Sequence, residues 1–141
     1  MSAAAHAAAQ FDVAAMAPYL EAKVPGLKGL KGATKFGDGQ SNPTFRLEAE
    51  SGFYVLRAKP PGKLLKSAHQ VDREHRVMAA LAETEVPVPG MLFLAPEDNP
   101  LGRQFYVMEY KDGRVLWDPA LPELEPAERA ALYDEMNRVL A

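Results

Sequence analysis

Residues 53–59 read FYVLRAK, Pro60-Pro61-Gly62 follow at once, and beyond the basic stretch KLLK comes SAHQVDREHRVMAAL at 67–81. The first run alternates, so Phe53, Val55, Arg57 and Lys59 share one face of a strand while Tyr54, Leu56 and Ala58 share the other. With Tyr54 and Leu56 toward a core, Arg57 and Lys59 project together on the opposite face; two cations placed so are also what a solvated sheet face displays. The second run changes period. Ser67 and Gln70 make an S-x-x-Q capping box, and Val71, Glu74, Met78 and Leu81 recur at helical spacing with Val77 counted in the same stripe, which predicts a helix over about 68–82. Glu74 is then a carboxylate on an apolar stripe, and leaving it buried without a partner costs on the order of several kcal/mol. Arg57 and Lys59 are the candidate partners; a position at the stripe's edge, in water, is the alternative.

Working outward, Asp12 reads as the N-cap of a helix, with Phe11 placed to staple onto Met16. Pro18 interrupts that helix, which continues kinked or restarted to about Val24 before Pro25-Gly26 ends it. Short strands are expected at 33–37 and 44–49, with a tight turn at Glu50-Ser51-Gly52 leading into 53–59. After the 68–82 helix, Pro87 and Pro89 forbid continuation, and two more strands fit 91–95 and 104–110 across a polar turn at Glu97-Asp98-Asn99-Pro100. A Pro-rich stretch leads to a last helix from about Ala127 to Ala141. The order predicts an α+β fold: one five-stranded antiparallel sheet with one helix packed on it, plus N-terminal and C-terminal helices.

Composition narrows the function classes. The chain has 141 residues and no Cys, which removes disulfides, thiolate zinc sites and a cysteine nucleophile, and fits a reducing, cytoplasmic setting. His69 and His75 are six apart and do not share a helix face, so no zinc spacing is visible. The Ala-rich residues 1–10 lack the charged and apolar regions of a signal peptide and read as a disordered tail; no membrane span follows. The net charge of -3 hides an asymmetry: residues 21–76 carry 11 basic and 6 acidic groups, a net of +5, while residues 77–141 carry 5 basic and 12 acidic, a net of -7. That split suits a small polyanion held at one place better than a nucleic acid, whose basic stripe is larger and interleaved with aromatics.

Two further stretches carry chemistry. The turn GDGQSNPT (37–44) has glycines that let backbone approach a phosphate, with Ser41 and Asn42 as donors; it is neither a GxGxxG fingerprint nor a P-loop, and an ordinary β-turn reads the same. The strand FYVMEYKDG ends in a polar turn, with Met108 as a bulky apolar gate; a buried edge strand explains its apolar residues equally well.

Taken together, GDGQSNPTF, YVLRAKPPGKLLKSAHQVDREHRVMAAL, VPVP and FYVMEYKDGRVLWD resemble the aminoglycoside phosphotransferase-like family, of the branch whose members occur alone or fused to acyl-CoA dehydrogenases. The resemblance runs from about Phe11 to the end, and it implies a protein-kinase-like N-terminal lobe at 11–113, followed at 114–141 by a linker and the truncated first helix of a C-terminal lobe. It implies an ATP-binding lobe of an enzyme that moves a phosphoryl group to a small-molecule hydroxyl. Gly37 to Asn42, with Gly39, Gln40, Ser41 and Asn42 nearest, would cover the phosphates. Arg57 stands where such proteins usually have the phosphate-holding Lys, Lys59 is a second cation beside it, and Glu74 matches the helix Glu that pairs with it. Val55 would roof adenine, Met108 would be the gatekeeper, and the backbone of Glu109, Tyr110 and Lys111 the adenine-binding hinge. The family's catalytic HxDxxxxN segment and Mg²⁺-binding Asp belong to the C-terminal lobe; none of the three His here has Asp two residues on, so no catalytic residue and no Mg²⁺ ligand is assigned in this chain. This fragment is expected to bind ATP and not to turn it over, and to meet the small-molecule acceptor only with the C-terminal lobe. The alternative is a non-catalytic, self-associating module, a homodimer through Leu132, Met136, Val139 and Leu140 of the last helix. The acyl-CoA dehydrogenase branch implies a hydroxylated acyl acceptor.

Overall fold

A computed structural model describes residues 11–36, 42–60, 70–114, 116 and 118–141. The residues form helix α1 (Val13–Lys23), strands β1 (Leu30–Lys35), β2 (Thr44–Ala49) and β3 (Gly52–Ala58), helix α2 (Val71–Leu81), strands β4 (Met91–Leu94) and β5 (Phe105–Glu109), and helix α3 (Pro126–Leu140). The five strands make one sheet in the order β1-β2-β3-β5-β4, with every neighbouring pair antiparallel. This is the α+β architecture expected from the sequence. The tail at 1–10 lies outside the described residues.

Several boundaries move. β1 begins at Leu30 rather than at residue 33, because it pairs along the whole of β2: Leu30 faces Ala49 and Lys35 faces Phe45, with an irregularity between Leu30 and Gly32 absorbing one residue. Helix α2 begins at Val71, and Gln70 sits at the N-cap with ψ 83°, outside the helical region, so it is not the third helical residue of a capping box; Ser67 lies outside the described residues. The later start puts Asp72 and Glu74 in the first turn, where the exposed N–H groups favour carboxylates. β5 is an interior strand between β3 and β4, not an edge.

The N-terminal helix forms as its residues dictate. Asp12 accepts a hydrogen bond from the Ala15 N–H at 3.2 Å, satisfying one of the unpaired donors of the first turn. The helix carries through Pro18 to Lys23, and the Val24 N–H closes it on the Leu20 carbonyl. Phe11 and Met16 are both buried in the core, as the staple requires.

The pleat decides what each face of the sheet does. Phe45, Leu47, Leu56, Ala58, Phe105 and Val107 line one face and pack with Phe11, Met16, Leu20, Val24 and Leu27 into the main core. The sequence expectation of one helix on the sheet is therefore incomplete, since α1 closes the larger core and α2 lies on the opposite face, over β4 and β5. On α2 the inward side is Val71, Glu74, His75, Met78 and Leu81; Val77, counted in the stripe from sequence, is 50% exposed, because it falls nearly two turns from Val71 on the wrong side of the helix. Among the described residues no helix is long and apolar enough to cross a membrane.

Leu56 is fully buried at the centre of the core, so Leu56→Ala should lower the unfolding free energy by about 3 kcal/mol, within the range for buried leucines. Val77→Ala should change it by less than about 0.5 kcal/mol. Urea denaturation followed by circular dichroism checks both, and equal effects would show that the core has been assigned to the wrong face.

Candidate functional site

On the face opposite the main core, the strand registers assemble two rows. Thr44 of β2 faces Arg57 of β3, and Arg57 faces Tyr106 of β5; one step along, Arg46 faces Val55, Val55 faces Met108, and Met108 faces Met91 of β4. Cross-strand partners share a face, so the first row is polar and the second largely apolar.

The polar row closes on the helix. Arg57 donates from Nε to Glu74 Oε1 at 2.8 Å and from Nη2 to Glu74 Oε2 at 3.2 Å, a side-on bidentate pair. Its Nη1 donates to Thr44 Oγ1 at 3.0 Å, and the Thr44 hydroxyl in turn donates to the Asn42 carbonyl at 3.1 Å. The Tyr106 hydroxyl donates to Glu74 Oε1 at 3.2 Å. Burial, and then the negative charge of Glu74, hold the Tyr106 phenol above its ordinary pKa, so it stays protonated and acts as a donor. The side chains of Arg57 and Glu74 remain 26% and 35% exposed, so the pair is reachable from solvent while Thr44 of β2 and Tyr106 of β5 fix its geometry.

Of the residues singled out from sequence, the structure brings Arg57 and Glu74 into direct contact and sets Val55 beside Met108, with Val55 buried and Met108 half-buried. Lys59 does not join Glu74. Its Nζ lies 3.9 Å from Glu97 Oε1, beyond hydrogen-bond reach but close enough for attraction. Asn42 is buried at the entry to β2, whereas Gly37, Asp38, Gly39, Gln40 and Ser41 lie outside the described residues. Glu109, Tyr110 and Lys111 follow Met108 at the end of β5. The Tyr110 ring tilts against Phe53 at 5.7 Å between centroids, and the Arg46 guanidinium lies over the Phe53 ring, 5.1 Å from its centroid. Among the described residues no group of three or more His, Asp or Glu side chains is placed to hold a metal ion.

Thr44 and Tyr106 were not singled out by sequence reasoning. Thr44 could have been: a hairpin turning at Glu50-Ser51 pairs residue 57 with residue 44 by counting alone. Tyr106 could not, because the β3–β5 register depends on a connection of more than forty residues.

At the end of β5, the Glu109 carboxylate accepts from the Gly90 N–H at 3.0 Å and from Lys111 Nζ at 3.1 Å, while the Glu109 N–H donates to the Gly90 carbonyl at 2.9 Å. The hydrogen bond from Lys111, its positive charge and the Gly90 N–H hold the Glu109 carboxyl below its ordinary pKa. Glu109 therefore binds a proton less readily folded than unfolded, and its contribution to stability is present above the ordinary carboxylate range and is lost as pH falls through the depressed folded value. Lys111→Met should move the Glu109 titration upward toward the ordinary value, followed by ¹³C carboxyl shifts against pH; an unmoved midpoint would show that Lys111 is not what holds it down.

The sequence model of the phosphotransferase enzyme family (APH) matches residues 32–141. The chain is 50% identical over 113 residues to "Probable acyl-CoA dehydrogenase IBR3" of Arabidopsis thaliana, covering 77% of this chain and 14% of that protein. It is 42% identical over 136 residues to "Acyl-CoA dehydrogenase family member 11" of Rattus norvegicus, covering 94% of this chain and 18% of that protein. Among solved structures, the crystal structure of a "putative aminoglycoside phosphotransferase" from Ralstonia eutropha superposes with a TM-score of 0.74 at 49% identity, over 92% of this chain and 36% of that one. The chain thus spans less than a fifth of the length of these two curated relatives and about a third of the solved structure. With a match over most of its length, and with the sheet and helix arrangement of that solved structure, the chain belongs to the phosphotransferase enzyme family.

Proposed function

We propose that this chain is the ATP-binding lobe of a phosphotransferase that passes a phosphoryl group to the hydroxyl of a small molecule. The observation that carries the reading is the side-on pair between Arg57 on the central strand and Glu74 on α2. A guanidinium keeps its charge at any physiological pH, and the bonds to Glu74 and Thr44 use Nε–H and one N–H on each Nη, so each Nη retains a second N–H that can address phosphate oxygens. In this reading Arg57 holds the α- and β-phosphates, Glu74 orients it, and Lys59 adds a second positive charge on the same face. The segment with Gly39, Gln40, Ser41 and Asn42 covers the phosphates. Val55 and Met108 supply the apolar wall for adenine, with the backbone of Glu109, Tyr110 and Lys111 along its edge.

Mg²⁺ bound with ATP would neutralise developing charge on the transferred group, with its ligands expected in the C-terminal lobe. Positioning and charge supply most of the rate in phosphoryl transfer, so residues 1–141 alone should bind and not turn over. The names of the curated relatives favour a hydroxylated acyl compound as acceptor, and a cytoplasmic setting completes the proposal.

Calorimetry should show Mg-ATP binding that Arg57→Ala weakens about tenfold or more, equivalent to about 1.4 kcal/mol. No binding by the wild type would overturn the reading. Sustained ATP turnover by these residues, abolished by Arg57→Ala, would show that the catalytic groups have been sought in the wrong place.

A second reading has its own observation. Helix α3 buries none of its residues, with Tyr133, Met136 and Leu140 exposed, Leu140 at 83%. It is tied to the preceding turn by Arg129, which donates to the Leu124 carbonyl at 3.0 Å, and by Tyr133, which donates to the Pro119 carbonyl. Such a face suits self-association. Sedimentation velocity should then show a concentration-dependent dimer that Leu140→Asp with Met136→Lys dissociates; a monomer at all concentrations removes this reading.

A further inference from the structure

Tyr106 is 1% exposed, yet it keeps a polar atom in the middle of the sheet. Its ring lies 6.2 Å from His75 on α2, and its hydroxyl reaches the same oxygen of Glu74 that Arg57 Nε uses. A buried phenol needs a hydrogen-bond partner, and a phenylalanine would fill the same space without one. The hydroxyl therefore marks a role that packing does not supply.

A carboxylate held only by Arg57 can rotate about its last side-chain bond and still keep one of the two guanidinium contacts. A second donor on Oε1, approaching from β5, fixes the plane of the carboxylate. That plane then fixes the guanidinium, whose Nε edge must stay in line with both carboxylate oxygens, and Thr44 anchors the remaining side through Nη1. We propose that Tyr106 is a positioning residue: through Glu74 it sets the orientation of the Arg57 guanidinium toward the phosphates of the bound nucleotide. The ligand part of this inference rests on the ATP-binding reading above; the orientation part does not.

Tyr106→Phe keeps the ring and removes the donor. Binding of Mg-ATP should weaken roughly fivefold to tenfold, in line with loss of a hydrogen bond to a charged group, while adenosine, which has no phosphates, should bind as to the wild type. In an Arg57→Ala background the same substitution should add no further loss, since there is no guanidinium left to orient. In ¹⁵N spectra the Arg57 Nε–H should exchange slowly in the wild type and faster in Tyr106→Phe, approaching its behaviour in Glu74→Gln. Tyr106→Met, which fills the space with a flexible side chain, serves if the Phe variant does not fold.

Equal weakening of ATP and adenosine would show that Tyr106 only supports the sheet and would overturn the proposal, as would an unchanged Arg57 Nε–H with unchanged ATP affinity. If the wild type binds no ATP, the functional reading fails by itself, and the Arg57 Nε–H exchange alone decides whether Tyr106 positions the pair.

Discussion

Strand β3 is loaded from both sides. It has β2 and β5 as neighbours, and it must give its Leu56 and Ala58 to the core under α1 while giving Val55 and Arg57 to the face under α2. Only strict alternation satisfies both demands, so side-chain parity along FYVLRAK governs the rest of the fold. Thr44, Tyr106 and Met108 reach the candidate site through registers with this strand.

The charged pair fits into that scheme because it costs less where it is than deeper in the protein. At roughly a quarter and a third exposure, Arg57 and Glu74 keep part of their hydration, so neither carries the full penalty of a buried ion. Their exposure also means the pair adds little to stability by itself. Its value lies in geometry: a fork on a strand, gripped by Glu74 from a helix and by Thr44 from the neighbouring strand, spends little of its freedom when an anion arrives.

Much of this was legible in the sequence, for identifiable reasons. Alternation placed Arg57 opposite Leu56, and the misfit of Glu74 among apolar neighbours called for either a cation partner or a place at the stripe's edge in water. Alternation alone does not choose Arg57 over Lys59, because both lie on the same face; the family resemblance pairs Arg57 with Glu74, and the folded chain joins those two. The core-closing role of α1 is hard to read from its sequence because the helix is weakly patterned, Met16 and Leu20 being its only buried members in an Ala-rich run. Val77 is three residues from Glu74, a helical spacing, but six from Val71, which carries it round to the exposed side. Tyr106 stayed invisible because long-range register is set by the folded sheet and not by any local pattern.

The tip of the β2–β3 hairpin is unusually well tied. Gly52 takes φ 138°, a conformation that favours glycine; Ser51 Oγ accepts from the Lys28 N–H at 2.9 Å and bonds the Tyr54 hydroxyl at 2.8 Å, and that hydroxyl also reaches the Gly26 carbonyl. The turn is thereby fastened to the connection between α1 and β1. In a strand whose two faces carry opposite duties, the length of this turn acts as a phase setting. One residue gained or lost there would exchange the places of Leu56 and Arg57, so the hairpin tip, though remote from the candidate site, holds that site in phase.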